Sequence, residues 1–274
     1  MDNGNCGILP GSSTANFSSA SMTNLRLIAR LDIKAPNLIK GVRLEGLRVV
    51  GDPQAFATRY YEQGIDEILY IDIVASLYER NNLGDLVRYT AENIFIPMTV
   101  GGGVRSLHDV EQLLLFGADK IAINTAAIRR PELISEVAKR FGSQCMVLSI
   151  EAKKQRAGKW EAYTDNGREK TGKDVLEWAR MGQDLGAGEI LITSVDQEGT
   201  RKGFDIEMCR TISDAISVPL IISGGMGSID HFLAVAHEGH ANAVAMADVL
   251  HYDRLSLSDI RQAALTNGIS VRQP

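Results

Sequence analysis

The sequence predicts an α/β fold, a (β/α)8 TIM barrel built from two half-barrel repeats, and three observations carry that prediction. From Leu25 onward, short Ile/Leu/Val-rich runs alternate with segments of helical period. Eight such pairs fit into a chain of 274 residues, which is the element count of that barrel. The second half of the chain also echoes the first at a nearly constant offset.

The expected strands are 26–32, 67–72, 95–100, 119–125, 145–151, 189–195, 218–223 and 242–248. Runs such as IFIPMTV and VPLIIS are apolar throughout, as when both faces of a parallel strand are buried. Helices are expected to begin at Asp52-Pro53, Leu83, Ser106, Pro131, Gly172, Asp205, Ser228 and Ser256, mostly positions with cap chemistry. Gly64, Gly117, Gly142, Gly186, Gly239 and Gly268 stand where helices close. Residues 1–21, rich in Gly, Ser and Asn, read as a flexible N-terminal tail, which leaves 22–274 for the barrel.

The repeat pairs GIDEILYID (64–72) with GAGEILITS (186–194), and IPMTVGGGVRSLHDVEQLLLFGADK (96–120) with VPLIISGGMGSIDHFLAVAHEGHAN (218–242). Glu67 and Glu189 lie 122 residues apart, and Gly101 and Gly224 lie 123 apart. Asp32 and Glu151, 119 apart, fall on the same alignment.

Composition narrows the function classes. The net charge is −5 with no Lys/Arg block, which argues against nucleic acid or an anionic membrane as the main partner. No run approaches the roughly 18 apolar residues of a membrane span, and residues 1–21 lack the apolar run and the basic start expected of a signal peptide. Cys6, Cys145 and Cys209 are odd in number and widely spaced, so neither a disulfide framework nor a zinc knuckle can be written. A reducing cytoplasm is the expected location. His108, His231, His237, His240 and His251 offer no metal-ligand spacing; no metal and no cofactor is expected.

In this fold the chemistry lies where strands end. Asp32 and Glu151 end strands 1 and 5, so the repeat sets two carboxylates across the mouth, an arrangement for a general base and a general acid. Gly101-Gly102-Gly103 and Gly224-Gly225 end strands 3 and 7. Glycine turns let backbone N–H groups converge on an anion, and the two together suit a substrate with a phosphate at each end. Asn124-Thr125 ends strand 4 beside the first turn. Arg26, Glu67, Lys120 and Glu189 begin strands 1, 2, 4 and 6, where two cations and two anions can close a ring of ion pairs across the barrel bottom; from the residues alone this reads as a structural layer. Trp160 and Tyr163 lie in WEAYTDNG, which reads as a hairpin after strand 5, with packing favoured over a lid.

The stretches LDIK, KGVRLEGLR, GDP, ILYIDI, IPMTVGGGVRS, GADKIAINTAA, TGKDVLEWA, GAGEILITS, EGT, GFD and ISGGMGS resemble the cyclase subunit of imidazole glycerol phosphate synthase (HisF family) over essentially all of 22–272. The resemblance implies a lyase-type synthase subunit of histidine biosynthesis. It would take ammonia from a glutaminase (HisH-like) subunit docked at the N-terminal face of the barrel and use it to split and cyclise a bisphosphorylated acceptor. It also implies catalytic roles for Asp32 and Glu151. Gly102, Gly103, Asn124, Thr125, Gly224, Gly225 and the loop residues Glu198 and Gly199 become substrate phosphate-binding positions. Arg26, Glu67, Lys120 and Glu189 become an ammonia gate instead of a structural layer.

Departures concentrate at the rim. Glu151 and Glu198 stand where the family has aspartate, Asp248 where it has a small hydroxyl residue, and Arg30 where it has cysteine. LIARLDIK, RLEGLRVVGDP and YIDIVASLYERNNL are also similar to a paralogous group (WbuZ-like) associated with amidation of surface-polysaccharide sugars. Three alternatives therefore stand beside the parent reading: that sugar-amidating paralogue, the sister isomerase of histidine biosynthesis, and a reduced barrel that activates a glutaminase and passes its ammonia on.

Overall fold

A computed structural model describes residue 1 and residues 24–75 and 83–273. The expected tail lies outside the described residues, apart from Met1. Eight parallel strands close into a barrel: β1 (Arg26–Lys34), β4 (Glu67–Asp72), β5 (Met98–Gly101), β6 (Lys120–Ile123), β7 (Met146–Arg156), β10 (Glu189–Ser194), β11 (Leu220–Ser223) and β12 (Ala243–Met246). Closure is made by β1 on β12 and by β7 on β10. The expected strands are all present. The third and seventh begin later than the sequence implies, at Met98 and Leu220, directly after Pro97 and Pro219. Proline has no N–H to give a ladder, so both runs enter the sheet one residue past it.

Four further strands among the described residues form two antiparallel hairpins, one in each half of the chain. β2 (Asn37–Val42) and β3 (Glu45–Gly51) fold back on β1, with Asp32 opposite Ile39. β8 (Lys159–Thr164) and β9 (Glu169–Asp174) fold back on β7, with Glu151 opposite Tyr163. The hairpin turns use left-handed backbone at Arg43 and Leu44 and at Asp165, Asn166 and Gly167. The second hairpin was legible in the sequence; the first was not. The helix expected at Gly172 starts later. Gly172 belongs to β9, and the helix α6 (Val175–Asp184) begins after Asp174, whose carboxylate caps the N–H groups of Leu176 and Glu177.

Among the described residues the remaining helices are α1 (Pro53–Glu62), α2 (Gly84–Asn93), α3 (Leu107–Leu115), α4 (Thr125–Arg129), α5 (Glu132–Phe141), α7 (Ile206–Ser213), α8 (Ile229–His237), α9 (Asp248–His251) and α10 (Leu257–Thr266). Asp52, Ser106, Asp205, Ser228 and Ser256 all cap as expected, and Ser106 with Asp109 completes a capping box. Five of the six expected closing glycines have positive φ. Gly239 does not, and the left-handed residue there is His240.

Alternation along each strand divides the core in two. Outward side chains such as Leu27, Leu31, Ile68 and Tyr70 pack under the helices, and inward ones fill the barrel: Ile28, Leu69, Ala122, Val147, Leu191, Ile221, Ala243 and Ala245. Above and below this apolar plug the inward positions are polar, which places chemistry at the two ends of the lumen. Cys145 and Cys209 are buried thiols, and burial pushes both up from their ordinary range. No described helix is long and apolar enough to cross a membrane.

Candidate active site

Strand β1 carries Arg26, Ile28, Arg30 and Asp32 on its inward face, so a single strand reaches from the barrel floor to its rim. At the floor the four charged strand-starters meet. Arg26 bridges Glu67 at 2.6 Å and Glu189 at 2.8 Å, and Lys120 bridges the same two carboxylates at 3.2 and 2.9 Å. The ring is closed and neutral, and each side chain keeps some exposure, from 6 % for Glu67 to 23 % for Arg26. Beside it a groove of about 590 Å³ opens between Asn24, Arg26, Glu189 and the Ser217–Leu220 segment.

At the rim, Asp32 is buried and accepts a hydrogen bond from Arg30 Nε at 2.9 Å, with Lys40 Nζ at 3.7 Å. Arg30 also donates to Thr193 at 2.7 Å and Ser223 at 3.1 Å, which ties β1 to β10 and β11 across the lumen. Burial alone would push the Asp32 carboxyl up; the charges of Arg30 and Lys40 and the Arg30 hydrogen bond outweigh this and hold it below the usual carboxylate range.

Glu151 has a different environment. Burial pushes its carboxyl up to about 7, and the Gly167 N–H that it accepts at 2.7 Å only partly offsets this. Near neutral pH the two carboxyls therefore differ in protonation: Asp32 is ionised and Glu151 is half protonated. That is the condition for one group to take a proton and the other to give one.

The two glycine turns differ as well. Gly102 and Gly103 have φ of 94° and 72°, and a Cβ on Gly102 would collide with the Asp72 carbonyl, so no larger residue fits. They border a cavity of about 260 Å³ that also takes in Asn124, Thr125, Ser149 and Glu151. Asn124 donates to the Tyr163 carbonyl at 3.1 Å, while its own buried Oδ1 has no partner. Gly224 and Gly225, with φ of 96° and 113°, border a space of only about 20 Å³ shared with Lys40, Glu198, Gly199 and Asp248. Glu198 is buried in an ion pair with Lys40, and Asp248 pairs with Arg254 at 2.8 Å.

All the expected rim residues thus lie at one mouth, and all the expected floor residues in one ring. Sequence reasoning did not place Lys40 in the site, because the unread β2–β3 hairpin is what folds it over Asp32. It also missed Arg105, Arg129 and Arg130, which line the larger cavity. Arg30 had a signal of its own: a charge two residues before Asp32 on an otherwise apolar strand shares its inward face. Trp160 and Tyr163 are packed rather than lid-like, and the Trp160 indole donates to Asp205 at 2.8 Å. His251 is buried against Tyr60, which holds its imidazole down at about 3, chiefly through burial; His108, His237 and His240 are exposed. Among the described residues, no group of three His, Cys, Asp or Glu side chains is placed to hold a metal ion.

A family model described as histidine biosynthesis protein matches residues 26–256. The chain is also 66% identical over 211 residues to the imidazole glycerol phosphate synthase subunit HisF of Legionella pneumophila, covering 77% of this chain and 100% of that relative.

Proposed function

The chain belongs to the histidine biosynthesis protein family, and from that premise we propose how its barrel works. It is an ammonia-dependent cyclase-type subunit of imidazole glycerol phosphate synthase in histidine biosynthesis. The partner is a glutaminase seated on the N-terminal face, over the Arg26–Glu67–Lys120–Glu189 ring and its adjoining groove. Ammonia enters through that ring and travels up the lumen past Ile28, Leu69 and Leu191, whose apolar walls favour the neutral molecule over ammonium.

At the mouth the acceptor is held by a phosphate at the Gly102–Gly103 turn, with Asn124 and Thr125 beside it and Arg105, Arg129 and Arg130 supplying positive charge. As the ammonia nitrogen adds to an acceptor carbonyl, Asp32 takes one proton from the nitrogen and Glu151 gives one to the oxygen, leaving a carbinolamine; a second proton moved from the nitrogen to that oxygen along the same pair releases it as water and leaves a C=N bond. The observation that carries this reading is one lumen with a closed charged ring at its floor and, at its rim, two carboxyls whose pKa values are pushed in opposite directions.

The test uses the purified chain with an ammonium salt and no glutaminase, assayed on the bisphosphorylated acceptor of imidazole glycerol phosphate formation. Turnover is expected, and Asp32→Asn is expected to abolish it; full turnover by that variant would remove Asp32 from the mechanism. Arg26→Met, assayed in complex with a glutaminase, is expected to lower glutamine-driven turnover much more than turnover on ammonium salt. Equal losses in the two assays would argue against passage through the ring.

A further inference from the structure

Arg30 has no charged counterpart in the other half of the barrel. On the alignment that pairs Asp32 with Glu151, its partner is Ser149, so only the first half places a cation at this level of the lumen. Its side chain is 3 % exposed. A charge buried to that degree is costly unless it is engaged, and what engages Arg30 is the set of groups at the mouth.

The guanidinium crosses the top of the lumen. Nε donates to Asp32 at 2.9 Å, and Nη1 donates to Thr193 at 2.7 Å and to Ser223 at 3.1 Å. Thr193 stands opposite Glu151 in the β7–β10 ladder, and Asp32 stands opposite Ile71 in the β1–β4 ladder. The head group therefore lies between the two rim carboxyls, above the apolar plug and beside the cavity that Ile71, Ser149 and Glu151 line. Its charge works against burial at both carboxyls.

A guanidinium has five N–H donors. Three of them are used in these bonds, and the two on Nη2 have no partner among the described residues, although Nη2 is not sealed from open space. The group is planar and rigid, and Nη2 shares with Nε the edge that faces Asp32. A pair of cationic donors is thus left free next to the carboxylate that serves as base.

We propose that Arg30 is a further catalytic residue: its free Nη2 N–H groups hold the acceptor's carbonyl oxygen as ammonia adds to the carbon. When the N–C bond forms, the C=O π pair moves onto that oxygen, and donors fixed in place beforehand bind the charged oxygen more strongly than the carbonyl. A guanidinium gives these hydrogen bonds without releasing a proton. Glu151 therefore still supplies the proton to the oxygen, and Asp32 still takes the one from the nitrogen. Tied to Asp32, Thr193 and Ser223, the head group needs no rearrangement to act. This rests on the reading that the acceptor presents a carbonyl to ammonia at this mouth.

The purified chain, with ammonium salt and the bisphosphorylated acceptor, separates this contact from the positioning of Asp32. Arg30→Met takes a cation from both carboxyls, so both limbs of the rate profile move to higher pH. At the new optimum Asp32 is again ionised, yet kcat is expected to stay down about 100-fold, the loss seen when one donor to such an oxygen is removed. Recovery of the wild-type kcat at that optimum would overturn the inference, because Arg30 would then act through Asp32 alone. If Arg30→Met does not fold, Arg30→Lys keeps the charge, so the limbs move less, but it has no fork, and kcat is expected to fall about tenfold. An unchanged kcat in Arg30→Lys would equally overturn the inference. A wild-type chain without turnover on this acceptor would sink the reading beneath it, and the role of Arg30 with it.

Discussion

Asp32 and Glu151 occupy corresponding places in the two halves of the barrel, each opposite a hairpin that folds back on its strand. Asp32 faces cations: Arg30 from its own strand and Lys40 from the β2–β3 hairpin. Glu151 accepts a backbone N–H from the β8–β9 hairpin and borders the cavity at the first glycine turn, and the charges of Arg30, Asp165 and Asp32 weigh less on it than its burial does. The same topology therefore yields an ionised carboxylate in one half and, in the other, a carboxyl that still holds its proton about half of the time near neutral pH. The difference teaches that a duplicated scaffold fixes where two groups stand, while the hairpin laid over each decides what the group does with a proton.

Breaking the first half has the largest expected effect. Asp32→Asn keeps the shape and removes the base, and a loss of about 10³-fold in kcat is expected, read on ammonium salt so that no partner is involved. Arg30→Met comes next. It leaves Asp32 without its closest cation and Thr193 and Ser223 without their donor. A destabilisation of about 3 kcal/mol should appear in denaturant melts, and the acidic limb of kcat/KM should move to higher pH because the Asp32 pKa rises; Arg30→Lys should restore part of that shift. An unmoved acidic limb in a folded Arg30→Met enzyme would show that Arg30 serves packing alone.

Breaking the second half is gentler and has the opposite sign with pH. The Glu151 carboxyl is raised in the folded protein, to about 7, so its contribution to stability is present at acid pH and is lost as pH rises through that value. Glu151→Gln should flatten the fall in stability between about pH 4.5 and 7, a difference of up to about 3 kcal/mol. The same variant should remove the alkaline limb of the rate profile. A wild-type enzyme whose stability does not fall over this range would contradict the raised pKa.

The smallest effect sharpens the comparison at the hairpin itself. Trp160→Phe removes the hydrogen bond from β8 to Asp205, the cap of α7. About 1 kcal/mol of stability should be lost, with the Asp32-dependent acidic limb unchanged, since that limb belongs to the other half.

Much of this was legible in the residues. The strands, the capping residues Ser106, Ser228 and Ser256, the four floor charges and the two rim carboxyls follow from period, cap chemistry and repeat, all of them local or translational signals. Lys40, Arg105, Arg129 and Arg130 were not legible as site residues, because a solvated surface cation and a site-lining cation look alike in a sequence. The helix expected at Gly172 failed for a related reason. The β9 residues EKTGKD have no apolar alternation, and only their pairing with β8 makes them a strand.

The sequence by itself thus determined the barrel, the doubling of its parts and the end of the lumen at which each charged group stands. Only the tertiary structure decided that Arg30 reaches Thr193 and Ser223, 163 and 193 residues away, that Lys40 lies over Asp32, and that Glu198 stands against the second cradle. The physical reason is that secondary structure is set by neighbours along the chain, whereas protonation and anion binding depend on burial and on charges brought close through space.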